Sequence, residues 1–299
     1  MSSLLQFVAL ACLITRIAGL CGSAPAALKK YHALDPFDSP LHFKVLNGKV
    51  ADSHIFPFTA SVQSRGKYSI CTASIIGSRY ILTAAHCYYN SIRTVLSQGI
   101  TEAFAKQKFL EAVNVGYGAV DSLKGKFSDI EAILLPPGST IDKYEDIMIL
   151  KLKDEIKFDS NARPVCLSAD IKPKVGQELI ITGYGNHSTG ANTYEKMEQY
   201  VIDTIPVVTQ SECDEERKNA FCAGGIEKGT MRGDSGGPMY TPYKGHFYQL
   251  GVVAAGDTKT VLVDGKEYRD DRALYTQVGN FCDFIKDATG GDVECRKLD

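Results

Sequence analysis

The stretch Gly233-Asp234-Ser235-Gly236-Gly237-Pro238 places a serine hydroxyl among backbone groups that few other uses of a serine require. Glycine at position 233 lets the backbone turn so that the amide N–H groups of Gly233 and Ser235 can point at one spot beside the Ser235 hydroxyl. Such a spot suits an oxyanion. Taken alone, the hexapeptide is equally consistent with an ordinary Gly-Pro turn between two strands.

Two other segments supply the residue types that a serine nucleophile needs. The run Leu82-Thr83-Ala84-Ala85-His86-Cys87 puts an imidazole at the end of an apolar strand, and a bridge from Cys71 to Cys87 would fix the backbone beside it. Asp146 precedes the apolar residues 147–150, where an acid is commonly a strand-edge cap but can also be buried. Each segment alone has an ordinary structural explanation.

Composition sets the broad class of the protein. The chain has 299 residues, 44% of them hydrophobic, which suffices for one large globular domain or two small ones. The 33 basic and 35 acidic side chains give a formal net charge of −2. This balance gives no reason to expect nucleic acid or an anionic membrane as a partner.

The N-terminus is typical of an exported protein. Residues 4–20 are almost wholly apolar, and the small residues Ala18 and Gly19 come near their end. This pattern predicts a signal peptide over residues 1–20. The run is too short for a membrane span and Arg16 interrupts it. We therefore expect a secreted, extracellular product that is not held in a membrane.

Cysteine usage agrees with an oxidising compartment. Of the nine cysteines, Cys12 lies within the predicted signal peptide, and an even number remains for disulfides. No C-x-x-C spacing occurs, so we expect no metal site. Asn186-His187-Ser188 is the one glycosylation sequon and predicts a glycan at Asn186.

Short apolar runs separated by turn-forming residues follow from about residue 47, with few stretches of helical periodicity. This pattern predicts many short strands, as in a β-sandwich or β-barrels. The exception is 278–288, where apolar residues recur every three or four positions and predict a closing helix. Residues 21–44 contain three prolines and no strong periodicity, which is typical of a pro-segment or linker. We expect one catalytic unit over residues 45–299.

In the order His86, Asp146, Ser235, these segments resemble the motifs T-A-A-H-C, D-I-x-L-L and G-D-S-G-G-P of the chymotrypsin and trypsin family of serine proteases. Unrelated enzymes with the same three residues place them in a different order. The resemblance covers about residues 45–290. It implies an all-β fold of two six-stranded antiparallel β-barrels with a C-terminal helix and the active site between the barrels.

The resemblance also implies roles for these residues and needs no cofactor. A serine hydroxyl is a weak nucleophile, so His86 would accept its proton during attack on a peptide carbonyl and later protonate the leaving amine. Asp146 would hold the imidazole tautomer. The amides of Gly233 and Ser235 would form the oxyanion hole. The expected partners are protein or peptide substrates and protease inhibitors.

The segment Phe43-Lys44-Val45-Leu46-Asn47-Gly48 resembles the activation site of the family. The resemblance implies that a second protease cuts after Lys44, and that the new amino group of Val45 pairs with Asp234 to order the oxyanion loop. The chain is therefore expected to be a zymogen.

The resemblance also implies disulfides and a specificity pocket. It pairs Cys71 with Cys87 and Cys213 with Cys222, and a tether of the pro-segment would pair Cys21 with Cys166 and leave Cys282 for Cys295. The sequence alone does not fix these pairings. Two disulfides of the family are missing. Met231 occupies a cysteine position of the first, and Leu179 and Thr241 occupy both cysteine positions of the second. The implied pocket residues are Gly229, Thr230, Gly256, Ala273 and Tyr275.

Where trypsin-like members carry a pocket aspartate, this chain has Gly229, which favours a chymotrypsin-like preference for apolar or aromatic residues. Asp270 and Asp271 are close enough in sequence to restore a negative charge, and an elastase-like preference stays open. Ala254 and Ala255 replace a serine and a tryptophan of the family, which would lower activity. The alternatives are an inactive homologue with a binding or regulatory role, and an esterase, whose G-x-S-x-G motif is absent.

Overall fold

A computed structural model describes residues 21–32, 49–50, 54–65, 67–188, 194–195, 200–213 and 217–298. The predicted signal peptide, Lys44 and Val45 lie outside these residues. The strands are β1 Lys49–Val50, β2 Thr59–Ser64, β3 Tyr68–Gly77, β4 Tyr80–Thr83, β5 Val113–Tyr117, β6 Lys126–Leu134, β7 Met148–Leu152, β8 Glu178–Gly183, β9 His187–Ser188, β10 Tyr194–Glu195, β11 Val201–Val208, β12 Ala220–Ile226, β13 Pro238–Tyr243, β14 His246–Val263 and β15 Lys266–Gln277.

Six of these strands close the first barrel in the order β2-β3-β4-β7-β6-β5, with every pair antiparallel. Alternation of side chains along β6 shows why the sequence closes this way. Ser128 and Ile130 are buried in the barrel, whereas Asp129 and Glu131 face outward and pair with basic side chains such as Lys151. A register shift after Ile130 then brings Ile133 to the buried face. Since successive strand residues point to opposite faces, this pattern fixes which face is the core.

The second barrel closes in the order β8-β11-β12-β15-β14-β13, and β1 adds a short strand beside β11. The predicted pair of six-stranded antiparallel barrels is therefore confirmed. Between the barrels, Phe56 stacks on Tyr240 with ring centroids 5.6 Å apart and meets the edge of Phe247 at 5.1 Å. The Thr59 and Thr182 hydroxyls share a hydrogen bond of 2.7 Å across the same boundary. These contacts fix the two barrels relative to each other.

The predicted closing helix is present as α4, which spans Cys282–Ala288 after a 3₁₀ turn at Val278–Phe281. Three further helices correct the sequence analysis, which predicted none of them: α1 Pro25–Tyr31, α2 His86–Ser97 and α3 Glu102–Ala112. Within the described residues, no helix has both the length and the apolar composition to cross a membrane.

The sequence has more residues between His86 and Asp146 than the family that it resembles usually has, and the helices α2 and α3 lie in this insertion. Tyr88 on α2 meets Phe109 on α3 edge to face, with ring centroids 5.2 Å apart. Thr101 caps α3, because its hydroxyl accepts a hydrogen bond from the Phe104 amide. The insertion therefore forms a packed helical pair on the first barrel rather than a loose loop.

Four disulfides join the pairs that the resemblance implies: Cys21–Cys166, Cys71–Cys87, Cys213–Cys222 and Cys282–Cys295. The first holds α1 against the body of the protein. There the Gly22 amide donates to the Pro164 carbonyl at 2.8 Å, and Ala27 and Tyr31 are buried. The segment expected to be a linker therefore contains a docked helix.

Candidate active site

His86 and Asp146 meet at the edge of the first barrel. Thr83 ends β4 and His86 begins α2, while Asp146 lies two residues before β7, a direct neighbour of β4. The Asp146 carboxylate contacts the imidazole Nδ1 at 2.8 Å and accepts a hydrogen bond from the His86 amide at 2.9 Å. The Asp146 side chain is only 4% exposed. Two bonds from one carboxylate fix the orientation of the ring and stabilise a protonated imidazole.

The loop that carries Ser235 is attached to the strand and disulfide beside this histidine. The Thr72 amide on β3 donates to the Ser235 carbonyl at 2.9 Å. The Cys87 sulfur, which is bonded to Cys71, lies 3.8 Å from the same carbonyl oxygen. Because Cys87 follows His86 directly, these contacts place the backbone of Ser235 beside the segment that carries His86. Both sulfurs belong to the disulfide, so neither is a thiolate that would bind a metal beside His86.

The peptide groups of the loop point the amides of Gly233 and Ser235 in a defined direction. The Arg232 carbonyl accepts a hydrogen bond from the Asn186 amide at 2.9 Å, and the Asp234 carbonyl accepts one from the Gly237 amide at 2.7 Å. In a trans peptide the N–H points opposite to the carbonyl. The Gly233 and Ser235 amides therefore face away from these bonds, and neither donates to another backbone group of the described residues. Free, oriented donors of this kind are what an oxyanion requires.

Gly236 shows why this loop needs glycine. Its φ is 77°, in the left-handed region that side chains avoid. An added Cβ would also lie 2.6 Å from the Thr72 carbonyl oxygen and collide with the Thr83 hydroxyl. The loop therefore approaches the first barrel as closely as a backbone allows.

Thr72 is a site residue that the sequence analysis missed. It is fully buried, and its hydroxyl donates to the Gly233 carbonyl at 2.9 Å while accepting from the Tyr184 amide at 3.1 Å. One hydroxyl therefore connects β3, the oxyanion loop and the segment that follows β8. Its local sequence carries no signal of this role, because both partners lie more than 100 residues away.

Asp234 points away from Ser235 into a cleft of the second barrel. Its carboxylate accepts hydrogen bonds from the amides of Met231 and Gly185, both at 2.9 Å. Burial raises the pKa of Asp234 to about 6, against the effect of these two bonds. The acidic residues of this cleft outnumber its basic ones, since it is lined by Asp203, Glu227, Asp234 and Asp271 and by Lys228 and Arg269. We call it the anionic cleft, and its excess of carboxylates favours a cation beside Asp234.

The residues of the predicted specificity pocket lie on neighbouring segments. Gly256 pairs with Ala273 across β14 and β15, and a Cβ on Gly256 would lie 3.7 Å from the Thr230 hydroxyl. Tyr275 is fully buried two residues after Ala273. The structure therefore brings Thr230, Gly256 and Ala273 together.

Beneath the fifth predicted pocket residue, Gly229, lies Asp271. A Cβ on Gly229 would lie 2.6 Å from the Asp271 carboxyl carbon. The Asp271 carboxylate already contacts the Arg269 guanidinium at 2.6 Å and accepts from the Thr258 hydroxyl at 3.0 Å. Asp270 is paired with Arg272 at 3.0 Å. Both aspartates therefore already have cationic partners.

Comparison with known families agrees with this geometry. The family model for trypsin matches residues 45–285, which is most of the chain. The chain belongs to the trypsin family. Its match starts at Val45, the residue that the sequence analysis places after the activation cleavage.

Three known proteins are among those whose sequences are similar to this chain. Phenoloxidase-activating factor 1 of Holotrichia diomphalia is 31% identical over 265 residues, which cover 81% of this chain and 69% of the relative. Trypsin II-P29 of Gallus gallus is 26% identical over 253 residues, which cover 82% of this chain and 88% of the relative. Serine protease 1 of Rattus norvegicus is 28% identical over 253 residues, which cover 82% of this chain and 89% of the relative.

The chain departs within the second barrel from the disulfide pattern that the resemblance implies. Leu179 and Thr241, which replace one family disulfide, are both fully buried on β8 and β13. The Gln177 side chain donates to the Thr241 hydroxyl at 3.2 Å. Apolar packing and a hydrogen bond therefore occupy the place of that bridge.

Proposed function

We propose that this protein is a secreted serine endopeptidase, made as a zymogen and activated by cleavage after Lys44. The observation that carries the proposal is the pair of contacts between Asp146 and His86, together with the free amides of Gly233 and Ser235. Export is supported by the apolar N-terminus and by four disulfides, which form in oxidising compartments.

In the proposed reaction, the Ser235 oxygen bonds to the carbonyl carbon of a substrate peptide while His86 takes the hydroxyl proton. The carbonyl oxygen becomes an oxyanion and accepts hydrogen bonds from the Gly233 and Ser235 amides. His86 then returns the proton to the amine as the C–N bond breaks. Water attacks the resulting ester in the same way and restores the serine. Asp146 stabilises the imidazolium formed in each half of the reaction.

Activation is proposed to work through the anionic cleft. The ammonium of Val45, once freed, would pair with Asp234, whose two amide bonds already tie it to Met231 and Gly185. Burial of an unpaired carboxylate is costly, so a cation in the cleft gains a large electrostatic contribution. Pairing would hold Asp234 in place and with it the neighbouring amides of the oxyanion hole.

The proposed pocket is neutral and selects apolar or aromatic side chains. Gly229 supplies no charge, and Asp271 beneath it is neutralised by Arg269. Burial raises the pKa of Asp271, although the charge of Arg269 beside it acts in the opposite direction. A lysine or arginine side chain would therefore lose its hydration in this pocket without gaining an unpaired anion.

An inactive homologue with a binding role is the second candidate. It is favoured by Ala254, which offers no hydroxyl to Asp146, so that in the described residues the Asp146 carboxylate is held by His86 alone. The predicted glycan at Asn186 fits a secreted product under either proposal. The Asn186 side chain is half-buried and lines the anionic cleft.

A peptide library distinguishes these candidates. The purified chain is cut after Lys44 and offered the library beside the matched variant Ser235→Ala. The endopeptidase proposal expects hydrolysis after apolar or aromatic residues and none by Ser235→Ala. No hydrolysis by the cleaved wild type would favour the binding protein. Hydrolysis mainly after lysine or arginine would show that the pocket assignment is wrong.

A further inference from the structure

The hairpin of β14 and β15 continues well beyond the second barrel. β14 pairs with β15 as far as Val263 and Lys266, whereas β13 covers the opposite edge of β14 only as far as Val252. Past Val252, no other strand of the described chain pairs with that edge. The edge runs on for about 30 Å to the tip of the hairpin.

The turn at the tip determines which backbone groups face this open edge. Asp264 and Gly265 have φ of 52° and 75°, as in a type I′ turn. Val263 and Lys266 close this two-residue turn and form a hydrogen-bonded pair. From there towards the barrel, non-bonded and bonded pairs of residues alternate along the hairpin. The backbone N–H and C=O groups that point away from β15 therefore belong to Gly256, Thr258, Thr260 and Leu262.

A side-chain contact agrees with this assignment. Opposite residues of a non-bonded antiparallel pair are the closer ones, with side chains in contact on one face. Thr258 and Asp271 form such a pair, and the Thr258 hydroxyl donates to the Asp271 carboxylate at 3.0 Å.

The open edge begins beside the nucleophile. The Gly236 amide donates to the Val253 carbonyl at 2.8 Å, and the Val253 amide donates to the Gly237 carbonyl at 2.9 Å. The residues that follow Ser235 thus occupy this edge of β14 up to Val253. A polypeptide whose scissile bond lies at Ser235 would therefore reach the edge of β14 just beyond Val253.

The hairpin is held in shape before any partner binds. On β15, Arg269 is bonded to Glu227 through both backbone groups, since its amide donates to the Glu227 carboxylate at 2.8 Å and its carbonyl accepts from the Glu227 amide at 2.7 Å. Arg272 pairs with Asp270 and with Glu212. An edge fixed in this way loses little conformational entropy when a strand is added.

We propose that the projecting part of β14 binds the residues that lie about four to nine positions before the scissile bond as an added antiparallel strand, through the outward backbone groups of Thr258, Thr260 and Leu262. The inference rests on the endopeptidase function proposed above. The substrate is then an extended polypeptide segment. Because residues pair one to one along a ladder, this part of β14 binds about six residues before the cleaved bond that a short peptide substrate lacks. At the tip, Leu262 is 72% exposed and offers an apolar contact to that strand.

A series of peptides tests this proposal on the activated wild-type protein. The peptides share one cleavage site and carry three, five, seven or nine residues before it. We expect kcat/KM to rise at least about tenfold from three to nine residues, because each added bond contributes a modest net free energy. A kcat/KM that does not change with length would overturn the proposal.

Backbone methylation of the nine-residue peptide gives a second test that needs no variant. An N-methyl group removes one donor and blocks the ladder at that residue. Since only alternate residues bond to an edge, we expect kcat/KM to fall for every second methylated position beyond the third. A loss that is equal at all positions, or absent at all, contradicts strand addition.

The matched variants Thr260→Pro and Thr260→Ala separate the backbone from the side chain. Both lack the hydroxyl, but only proline lacks the N–H. We expect the nine-to-three ratio of kcat/KM to fall towards one in Thr260→Pro and to persist in Thr260→Ala. Equal ratios in both would overturn the proposal. So would sedimentation in which the wild type is a dimer and Thr260→Pro is a monomer, because a second copy of the chain would then occupy this edge. Absence of cleavage of every peptide would overturn the endopeptidase function itself, whereas cleavage without length dependence overturns only this inference.

Discussion

The Thr72 hydroxyl joins three parts of the candidate active site although it contacts none of the proposed catalytic side chains. It donates to the Gly233 carbonyl and accepts from the Tyr184 amide, and it is fully buried. Removing it leaves a buried donor and a buried acceptor without partners, which typically costs more than the bond itself contributes. The orientation of the loop that carries the Gly233 and Ser235 amides therefore depends on a residue in the other barrel.

Replacing this residue gives a prediction at the residue scale. Thr72→Val keeps the shape but loses both bonds, so we expect the free energy of unfolding to fall by about 2 kcal/mol. We also expect kcat/KM of the activated protein to fall about tenfold or more, mainly because kcat decreases while KM changes little. Thr72→Ser keeps the hydroxyl and is the control, which should retain most of the rate. Equal rates for the valine and serine variants would contradict the positioning role.

The helical pair α2 and α3 forms the largest element that the sequence analysis did not predict. Tyr88 and Ile92 on α2 are buried at four-residue spacing, and Thr101 caps α3. The apolar spacing and the capping threonine are both visible in the sequence. They are short, however, and lie between segments whose pattern predicts strands. By contrast, the short strands were predictable because their apolar runs are bounded by turn residues.

Packing of this element is testable with two phenylalanines of α3. Phe109 is 4% exposed against Tyr88, whereas Phe104 is 46% exposed. We expect Phe109→Ala to lower the free energy of unfolding by about 3 kcal/mol, because it leaves a cavity. Phe104→Ala is the matched control and should change it by less than about 0.5 kcal/mol. Urea denaturation measures both, and similar losses would mean that α3 does not pack as described.

The tether of α1 gives a second prediction at the element scale. Cys21 and Cys166 are bonded, so after cleavage at Lys44 the segment that holds α1 should remain attached until a reductant is added. In the double variant Cys21→Ser and Cys166→Ser, only noncovalent packing of α1 remains. Denaturing mass spectrometry without reductant should then release the segment from the variant and not from the wild type. Release from the wild type would contradict the pairing.

On the scale of the whole molecule, local motifs predict the two barrels and the candidate triad better than they predict the surroundings of the site. The three motifs around His86, Asp146 and Ser235 are short and ordered along the chain, so the sequence suffices to find them. The bond from Asn186 to the Arg232 carbonyl and the burial of Asp271 depend on long-range packing. The residues adjacent in sequence to Asn186, Arg232 and Asp271 indicate neither this bond nor this burial.

The stability of the whole molecule should depend on pH through its anionic cleft. Burial raises the pKa of Asp234 to about 6 from an ordinary value of 3.8. A raised pKa contributes stability that is complete below about pH 4 and is lost as the pH rises through about 6. For the uncleaved protein we expect the free energy of unfolding to fall by about 3 kcal/mol over this range from Asp234 alone.

Two comparisons isolate this contribution. Asp234→Asn should remove about 3 kcal/mol of the decrease between about pH 3 and pH 8 in urea denaturation. Asp203, whose pKa burial also raises to about 6, contributes separately, and Asp203→Asn serves as the control. After cleavage at Lys44, a Val45 ammonium in the cleft would stabilise the Asp234 carboxylate and abolish its part of the decrease. An unchanged pH dependence after cleavage would contradict the proposed pairing.

The central claim is that Ser235 becomes a nucleophile activated by His86 once the chain is cut after Lys44. Mass spectrometry of the protein treated with a fluorophosphonate tests it most directly, before and after cleavage and in His86→Ala. The account predicts a covalent adduct on Ser235 of the cleaved wild type, little on the uncleaved chain and little on the cleaved variant. A cleaved wild type that carries no adduct on Ser235, or equal labelling of cleaved His86→Ala, would contradict it.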